Sequence, residues 1–195
     1  MKERIIMVVF ILILGSFLTT ALVIVDNFTA PKIKANEEKK LQINLMKILD
    51  IPFDEKDESS IKQTFTENVE TLSKGDFTYY KSKNNDIAFE IAGPGAFGPL
   101  TGAMAISSDF ERLKGVTILS NSETPGLGTR LFEEVYLKNY KGKKIVPEIK
   151  VLSGGGAKSE NEVDGITGAT LTGVALQNLL NKEYKRVKPI ISESE

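Results

Sequence analysis

The hydrophobic pattern changes character twice along the chain. From Ile5 to Val25 no side chain is charged. As a helix this run would be about 31 Å long at about 1.5 Å per residue, which matches a hydrocarbon core of roughly 30 Å. A cleaved export signal has a shorter apolar stretch followed by a small-x-small site. Here the best-placed small residue, Ala30, is followed by Pro31, a poor start for a mature chain. The run therefore reads as a retained transmembrane helix, residues 5–25, after a short tail, residues 1–4. Pro31 to Leu49 is charged but keeps Ile33, Leu41, Leu45, Ile48 and Leu49 at helical intervals. That spacing predicts an amphipathic connecting helix within residues 26–50, separated from the membrane helix by a break at Pro31.

Beyond it the period shortens. Asp50 to Lys74 is acidic and polar, with isolated apolar marks at Ile61, Phe65, Val69 and Leu72, and reads as loop and short helix. Phe77–Lys83 and Ile87–Ile91 flank Asn84-Asn85, a hairpin signal. Leu100–Ile106 and Leu113–Leu119 read as further strands, Leu131–Tyr140 as a short helix, and Ile145–Leu152 as another strand. Leu171, Val174, Ala175, Leu179 and Leu180 mark a closing amphipathic helix that runs to Val187. Strands that follow one another without crossover helices predict an antiparallel sheet with flanking helices. The fold class is α+β: a transmembrane helix, then one domain over residues 51–187, then a tail over 188–195.

Composition narrows the chemistry. The chain has no Cys and no His, which excludes a thiolate nucleophile, a Ser-His-Asp triad and a protein-ligated iron–sulfur cluster. Zinc sites normally need Cys or His, so no metal ligands and no catalytic residues are assigned. The net charge of -1 gives no basic footprint for nucleic acid. Lys2 and Arg4 precede the apolar run, while Asp26 and Asn27 follow it. The positive-inside rule keeps the N-terminus cytoplasmic and exports the domain across the inner membrane. Gly15, Ser16, Thr19 and Thr20 occupy neighbouring turns, where they either let a partner helix approach or are tolerated passengers.

Two segments carry candidate chemistry. Ser122-Glu123-Thr124-Pro125-Gly126-Leu127-Gly128 lies between a strand and a helix; it is either a plain tight turn or a rim offering Glu123, Thr124, Leu127 and Gly128 to a ligand. Asp164-Gly165-Ile166-Thr167-Gly168-Ala169-Thr170-Leu171-Thr172-Gly173 enters the last helix. A helix start presents unpaired N–H groups and a positive dipole end, which suit a phosphate. Thr167 is placed to cap this helix and Thr170 falls in its first turn. A Thr cap with no ligand is the plain alternative. The segment is not a Walker A loop, because the Lys is missing. A hydrolase reading, with Glu123 or Asp164 as general base, lacks a second placed carboxylate.

The order of these features resembles the FMN-binding G subunit of the ion-translocating Rnf electron-transport complex, with the C subunit of the sodium-translocating NADH:quinone oxidoreductase as a close relative. The matching features are the anchor, the Gly-rich segment 93–102, Glu123-Thr124-Pro125-Gly126-Leu127-Gly128, and Thr167-Gly168-Ala169-Thr170. The resemblance implies a covalent flavin: FMN joined by a phosphoester to Thr170, attached by a transferase that reads the motif and the upstream Asp164. It implies FMN contacts from Glu123, Thr124, Leu127, Gly128, Thr167, Gly168, Ala169, Leu171 and Thr172. It also implies an electron-relay role beside other membrane subunits of an Rnf-type complex. The chain's shortness favours Rnf over the quinone reductase. The reading from a different class is a membrane-anchored binding or assembly protein without a flavin.

The topology is directly testable. A reporter active only outside the cytoplasm, fused after Glu195, is expected to be active; activity of a cytoplasm-only reporter at that position would reverse the orientation.

Overall fold

The computed structural model describes residues 1–55 and 57–192. Helix α1 spans Lys2–Ile48 and falls into two units, residues 1–40 and the part from Leu41 onward. Every side chain of residues 1–38 is exposed within the chain. Among the described residues α1 is the one helix long and apolar enough to cross a membrane. The break expected at Pro31 is not there: the proline lies inside the helix. Proline costs about 3 kcal/mol in a helix interior, but Ala, Lys, Glu and Leu dominate the turns after it, and they are strong helix formers. The Thr20 and Thr29 hydroxyls donate to the carbonyls of Ser16 and Val25, one turn earlier, at 2.8 and 2.9 Å. Polar groups on this helix are thus partly satisfied within it.

The second unit is built on a five-stranded antiparallel meander: β1 (Val69–Lys74), β2 (Phe77–Ser82), β3 (Ile87–Pro94), β4 (Pro99–Ile106) and β5 (Leu113–Ser120), in that spatial order. The β2–β3 hairpin turns at Asn84-Asn85, as expected. Strand β1 was expected as loop or short helix. Ile61 and Phe65 belong to α2 (Glu58–Asn68), and the period changes to two at Val69. Val69 and Leu72 are three apart and so read as helical, yet β1 pairs with β2 from Val69↔Ser82 to Lys74↔Phe77.

Alternation along the strands makes two unlike faces. Phe89, Ile91, Met104 and Ile106 are fully buried in one core, together with Leu176, Leu179, Leu180 and Val187 of α4 (Thr170–Ser192). Complete burial of side chains this size contributes about 1.5–3 kcal/mol each. The other face presents Ala88, Ala103 and Ala105 and is covered by Leu45, Met46 and Leu49 at the end of α1 and by Ile61 and Phe65 of α2. Small residues on that face let the helices approach closely.

Two further expectations change. Residues 145–152 form a strand only at β6 (Lys150–Leu152), which pairs in parallel with β7 (Glu162–Asp164). Pro147 has no N–H for a ladder. Ile149 is bound instead by the Asn181 side chain, which accepts from its N–H and donates to its carbonyl, both at 2.9 Å. Leu131–Tyr140 is not one helix. It divides into a 3-10 turn, α3 (Glu134–Leu137) and another 3-10 turn. The tail expected from residue 188 is helical through Ser192, because Ile191 continues the buried stripe four residues after Val187. Residues 193–195 of that tail lie outside the described residues. Burial raises the phenol pKa values of Tyr136 and Tyr140, which hold them neutral in the core.

Asn181 ties α4 to a segment that no ladder holds. Asn181→Leu leaves a buried N–H and a buried carbonyl unpaired and is expected to destabilise the domain by about 2–4 kcal/mol. Thermal unfolding of the detergent-solubilised protein checks this; an unchanged transition would show that the pair carries no weight.

Candidate functional site

The meander brings three loops to one end of the sheet. Strand β3 ends at Pro94 and β4 begins at Pro99, so residues 95–98 form its hairpin tip. Strand β5 ends at Ser120, beside Thr101, and feeds the turn at 121–128. The start of α4 arrives at the same rim.

Glu123 joins all three. It is 5% exposed. Its Oε1 accepts from the Ala96 and Phe97 N–H groups at 2.6 and 3.2 Å, and its Oε2 accepts from the Thr172 hydroxyl at 2.7 Å. Thr172 is 2% exposed and does not bond back along its own helix, as a mid-helix threonine commonly does. Gly128 is required by closeness: a Cβ there would stand 2.7 Å from Thr172 Oγ1 and 3.0 Å from Glu123 Oε2.

The helix entrance also differs from expectation. Thr167 does not cap α4. It is exposed two residues upstream of Ala169, whose carbonyl accepts the Gly173 N–H at 2.9 Å. Gly168 sits at φ +85°, a left-handed conformation that suits glycine, and this turns the chain into the helix two residues later than a Thr167 cap would. Ala169 has no side-chain oxygen, so the first N–H groups of α4 remain available to an anion. Thr170 is the first helical residue, and it is exposed.

A cavity of about 230 Å³ opens here, lined by Thr124, Leu127, Gly128, Gly168, Ala169, Thr170, Leu171 and Thr172. Motifs more than 40 residues apart in the chain thus share one site. Phe97, which sequence reasoning did not nominate, lines it too. Its one signal was an aromatic residue inside a Gly/Pro loop. Phe97, Leu127 and Leu171 are 63%, 50% and 68% exposed, an apolar rim around the exposed hydroxyls of Thr124 and Thr170. Leu171 and Val174 were counted toward the buried face of the helix by their spacing; both are exposed. Three candidates stand apart, and one is Thr167, which lies in the turn before the helix and does not line the cavity. Glu123 lies behind the cavity with both oxygens engaged, so it positions the site rather than facing a ligand. Asp164, on β7, accepts the Ala157 N–H at 2.6 Å and does not line the cavity.

The arrangement fits a phosphorylated, flat, partly apolar cofactor. It supplies an exposed hydroxyl, a helix N-terminus for a phosphate and apolar side chains for a ring.

Glu123→Ala leaves two N–H groups and a hydroxyl without their acceptor, whereas Glu123→Gln retains an amide oxygen. The alanine variant is expected to be the less stable by about 1–3 kcal/mol, with faster amide exchange over residues 95–98. Equal stability of the two variants would remove Glu123 from this role.

Comparison with known proteins bears on the same region. The family model described as FMN-binding domain matches residues 95–185. The C subunit of the Na(+)-translocating NADH-quinone reductase of Vibrio campbellii is 34% identical over 108 residues, 50% of this chain and 41% of that protein. Its namesake from Vibrio alginolyticus is 31% identical over 133 residues, 62% of this chain and 52% of that protein. The matched region thus spans about two fifths to one half of these relatives' length. The crystal structure of Shewanella oneidensis NqrC shares the fold, with a TM-score of 0.70 at 18% identity, covering 77% of this chain and 93% of that one. The crystal structure of the corresponding Na(+)-translocating NADH-quinone reductase protein from Parabacteroides distasonis gives 0.67 at 21% identity, covering 79% and 92%. The family model, the relatives and the fold agree with the sequence resemblance: residues 95–185 match the FMN-binding domain, and the chain is similar to the quinone-reductase C subunits in sequence and in fold.

Proposed function

We propose that the chain is the membrane-anchored flavin subunit of an ion-translocating oxidoreductase, with FMN esterified through its phosphate to Thr170 Oγ1. The observation that carries this reading is the sorting of three nearby hydroxyls. Thr172 is buried and donates to Glu123. Thr167 is exposed but stands outside the cavity, in the turn before the helix. Thr170 is exposed, lines the cavity and lies in the first turn of α4, where the dipole stabilises a phosphodiester by roughly 0.3–1 kcal/mol.

Bound there, FMN would supply one- and two-electron redox chemistry. The protein's part is to hold it. The first N–H groups of α4 would hold the phosphate, Gly168 and Ala169 would leave its approach open, and Phe97, Leu127 and Leu171 would shield it from water. A covalent ester removes dissociation as a hazard for a domain exported away from cytoplasmic FMN. Asp164, Thr167, Gly168 and Thr170 are all exposed, so a flavin transferase can reach the segment. The apolar part of α1 anchors the domain in the inner membrane, N-terminus inside, within reach of integral subunits. No proton-transferring side chain is required of such a relay.

Of the two complexes, the sodium-translocating NADH:quinone reductase is favoured over Rnf, because the named relatives are its C subunits. The Rnf assignment rests on motif order and on chain length alone.

Coexpressed with a flavin transferase, the wild-type chain should fluoresce as a denatured gel band. Thr170→Ala should lose that fluorescence completely with little loss of stability, while Thr172→Val should retain it. Fluorescence persisting in Thr170→Ala would overturn the attachment site.

A further inference from the structure

Four lysines line a groove that the candidate site does not use. Lys47 stands on the last turn of α1, Lys114 on β5, and Lys138 and Lys141 at the two ends of the 3-10 turn after α3. The groove encloses about 270 Å³, with β5 as its floor, Ile48 on one side and Phe132 and Leu137 on the other. We propose that it holds an acidic, extended segment of a partner membrane subunit, with an apolar side chain of that segment on Ile118 and Phe132 and its carboxylates among the lysines. This rests on the reading of the chain as one subunit of a membrane oxidoreductase.

Charge selects the occupant. The whole chain carries a net charge of -1, yet the groove lining sets four lysines against two carboxylates, Asp50 and Glu134. Asp50 is shared between Lys141 at 2.5 Å and Lys114 at 3.9 Å. The closer partner of Lys114 is Asp86, at 3.1 Å, and Lys47 pairs with Glu55 at 2.7 Å; both of these carboxylates lie outside the lining. Glu134 and Lys138 pair at 3.1 Å with side chains 67% and 68% exposed. Ion pairs that wet contribute little, so an incoming carboxylate can replace this one. The Glu134 carboxyl is held below its ordinary range, first by its hydrogen bond with Lys138 and then by the charges of Lys138 and Lys47. Lysines from both walls therefore act on the same space. A second copy of the chain would set lysines against lysines, which like-charge repulsion opposes.

The groove also suits an extended main chain. Strand β5 is the last in the sheet. On its outer side the Leu113 N–H donates to the Lys143 carbonyl at 2.9 Å, and the Leu113 carbonyl accepts from the Gly142 N–H at 2.7 Å. Farther along, no strand lies beside β5 among the described residues, and an open strand edge offers main-chain donors and acceptors to an extended peptide. Ile118 and Phe132 are half-buried, which leaves apolar surface for an anchoring side chain. The groove is close to the candidate site as well. Phe132 ends the 3-10 turn that Gly128 begins, and Gly128 lines the Thr170 cavity. At about 2.0 Å per residue that turn is about 8 Å long, so a partner seated in the groove is held beside the cofactor's proposed attachment point.

The experiment uses the full-length chain in the membranes of its own cell. A photoreactive phenylalanine analogue replaces Lys138 or Lys141 in the groove, or Lys83 beyond the end of β2 as a control. Cross-linked peptides are then mapped by mass spectrometry. Positions 138 and 141 should both capture one exported segment rich in Asp and Glu from another membrane subunit, and position 83 should not. Lys138→Glu combined with Lys141→Glu should lower copurification of that subunit by about tenfold, because like charges set against one another are strongly unfavourable. FMN loading should stay unchanged, and replacing the captured carboxylates by lysines should restore copurification. Lys83→Glu should have no effect. If the subunit copurifies while positions 138 and 141 capture nothing, a second copy, or a segment without carboxylates, the groove is not its docking surface. Wild-type copurification by the double charge reversal would overturn the proposal too. A wild-type chain that brings down no membrane subunit would overturn the assembly reading, and this surface with it.

Discussion

The candidate site depends on one buried carboxylate. Glu123 enters no ion pair among the described residues; it accepts from two backbone N–H groups and the Thr172 hydroxyl. An ionised group removed from water is costly unless hydrogen bonds replace its hydration. Three donors do so here, and bonds to a charged acceptor are stronger than neutral ones, about 1.5–3 kcal/mol each. Because those donors come from the β3–β4 hairpin and from α4, while the acceptor sits after β5, satisfying the charge fixes three chain segments against one another. The same bond occupies Thr172, which leaves Thr170 as the free hydroxyl of the helix start.

The sheet makes this convergence possible. An antiparallel meander puts every second connection at the same end, so the hairpin tip at 95–98 and the turn after β5 are neighbours without any long crossover. Its two faces are sealed differently, with bulky residues toward α4 and alanines toward α2 and the end of α1. Helix α4 therefore packs firmly along its middle, at Leu176, Leu179 and Leu180, while its first turns remain open to a ligand. Rigid support behind an exposed threonine suits the proposed relay, whose cofactor would have to hold its position and still meet redox partners.

Much of the fold was legible in the sequence where a single period persisted. The Asn84-Asn85 hairpin, the alternating β4 and β5 and the long closing helix follow from spacing and turn chemistry. Legibility failed where tertiary contacts overrode local signals. Val69 and Leu72 kept a helical spacing inside a strand, Pro31 was absorbed by strong helix formers, and Ile149 found its partner in the side chain of Asn181. The two candidate motifs were visible, and their resemblance to a known family supplied the cofactor. Spacing alone could not show that Glu123 faces Thr172 rather than the cavity, because that bond is a product of the folded meander. Nor could it show that Leu171 and Val174 are exposed, since apolar positions at helical intervals look the same whether they face a core or a ligand.

Peptide mapping of the natural protein tests the central claim most directly. Cleavage after Lys158 and Lys182 would release one peptide holding Thr167, Thr170 and Thr172 together, and fragmentation then assigns any added mass to one of them. The account predicts the mass of FMN, less water, on Thr170, with Thr167 and Thr172 unmodified. The same mass on Thr167 or Thr172, with Thr170 free, would contradict it.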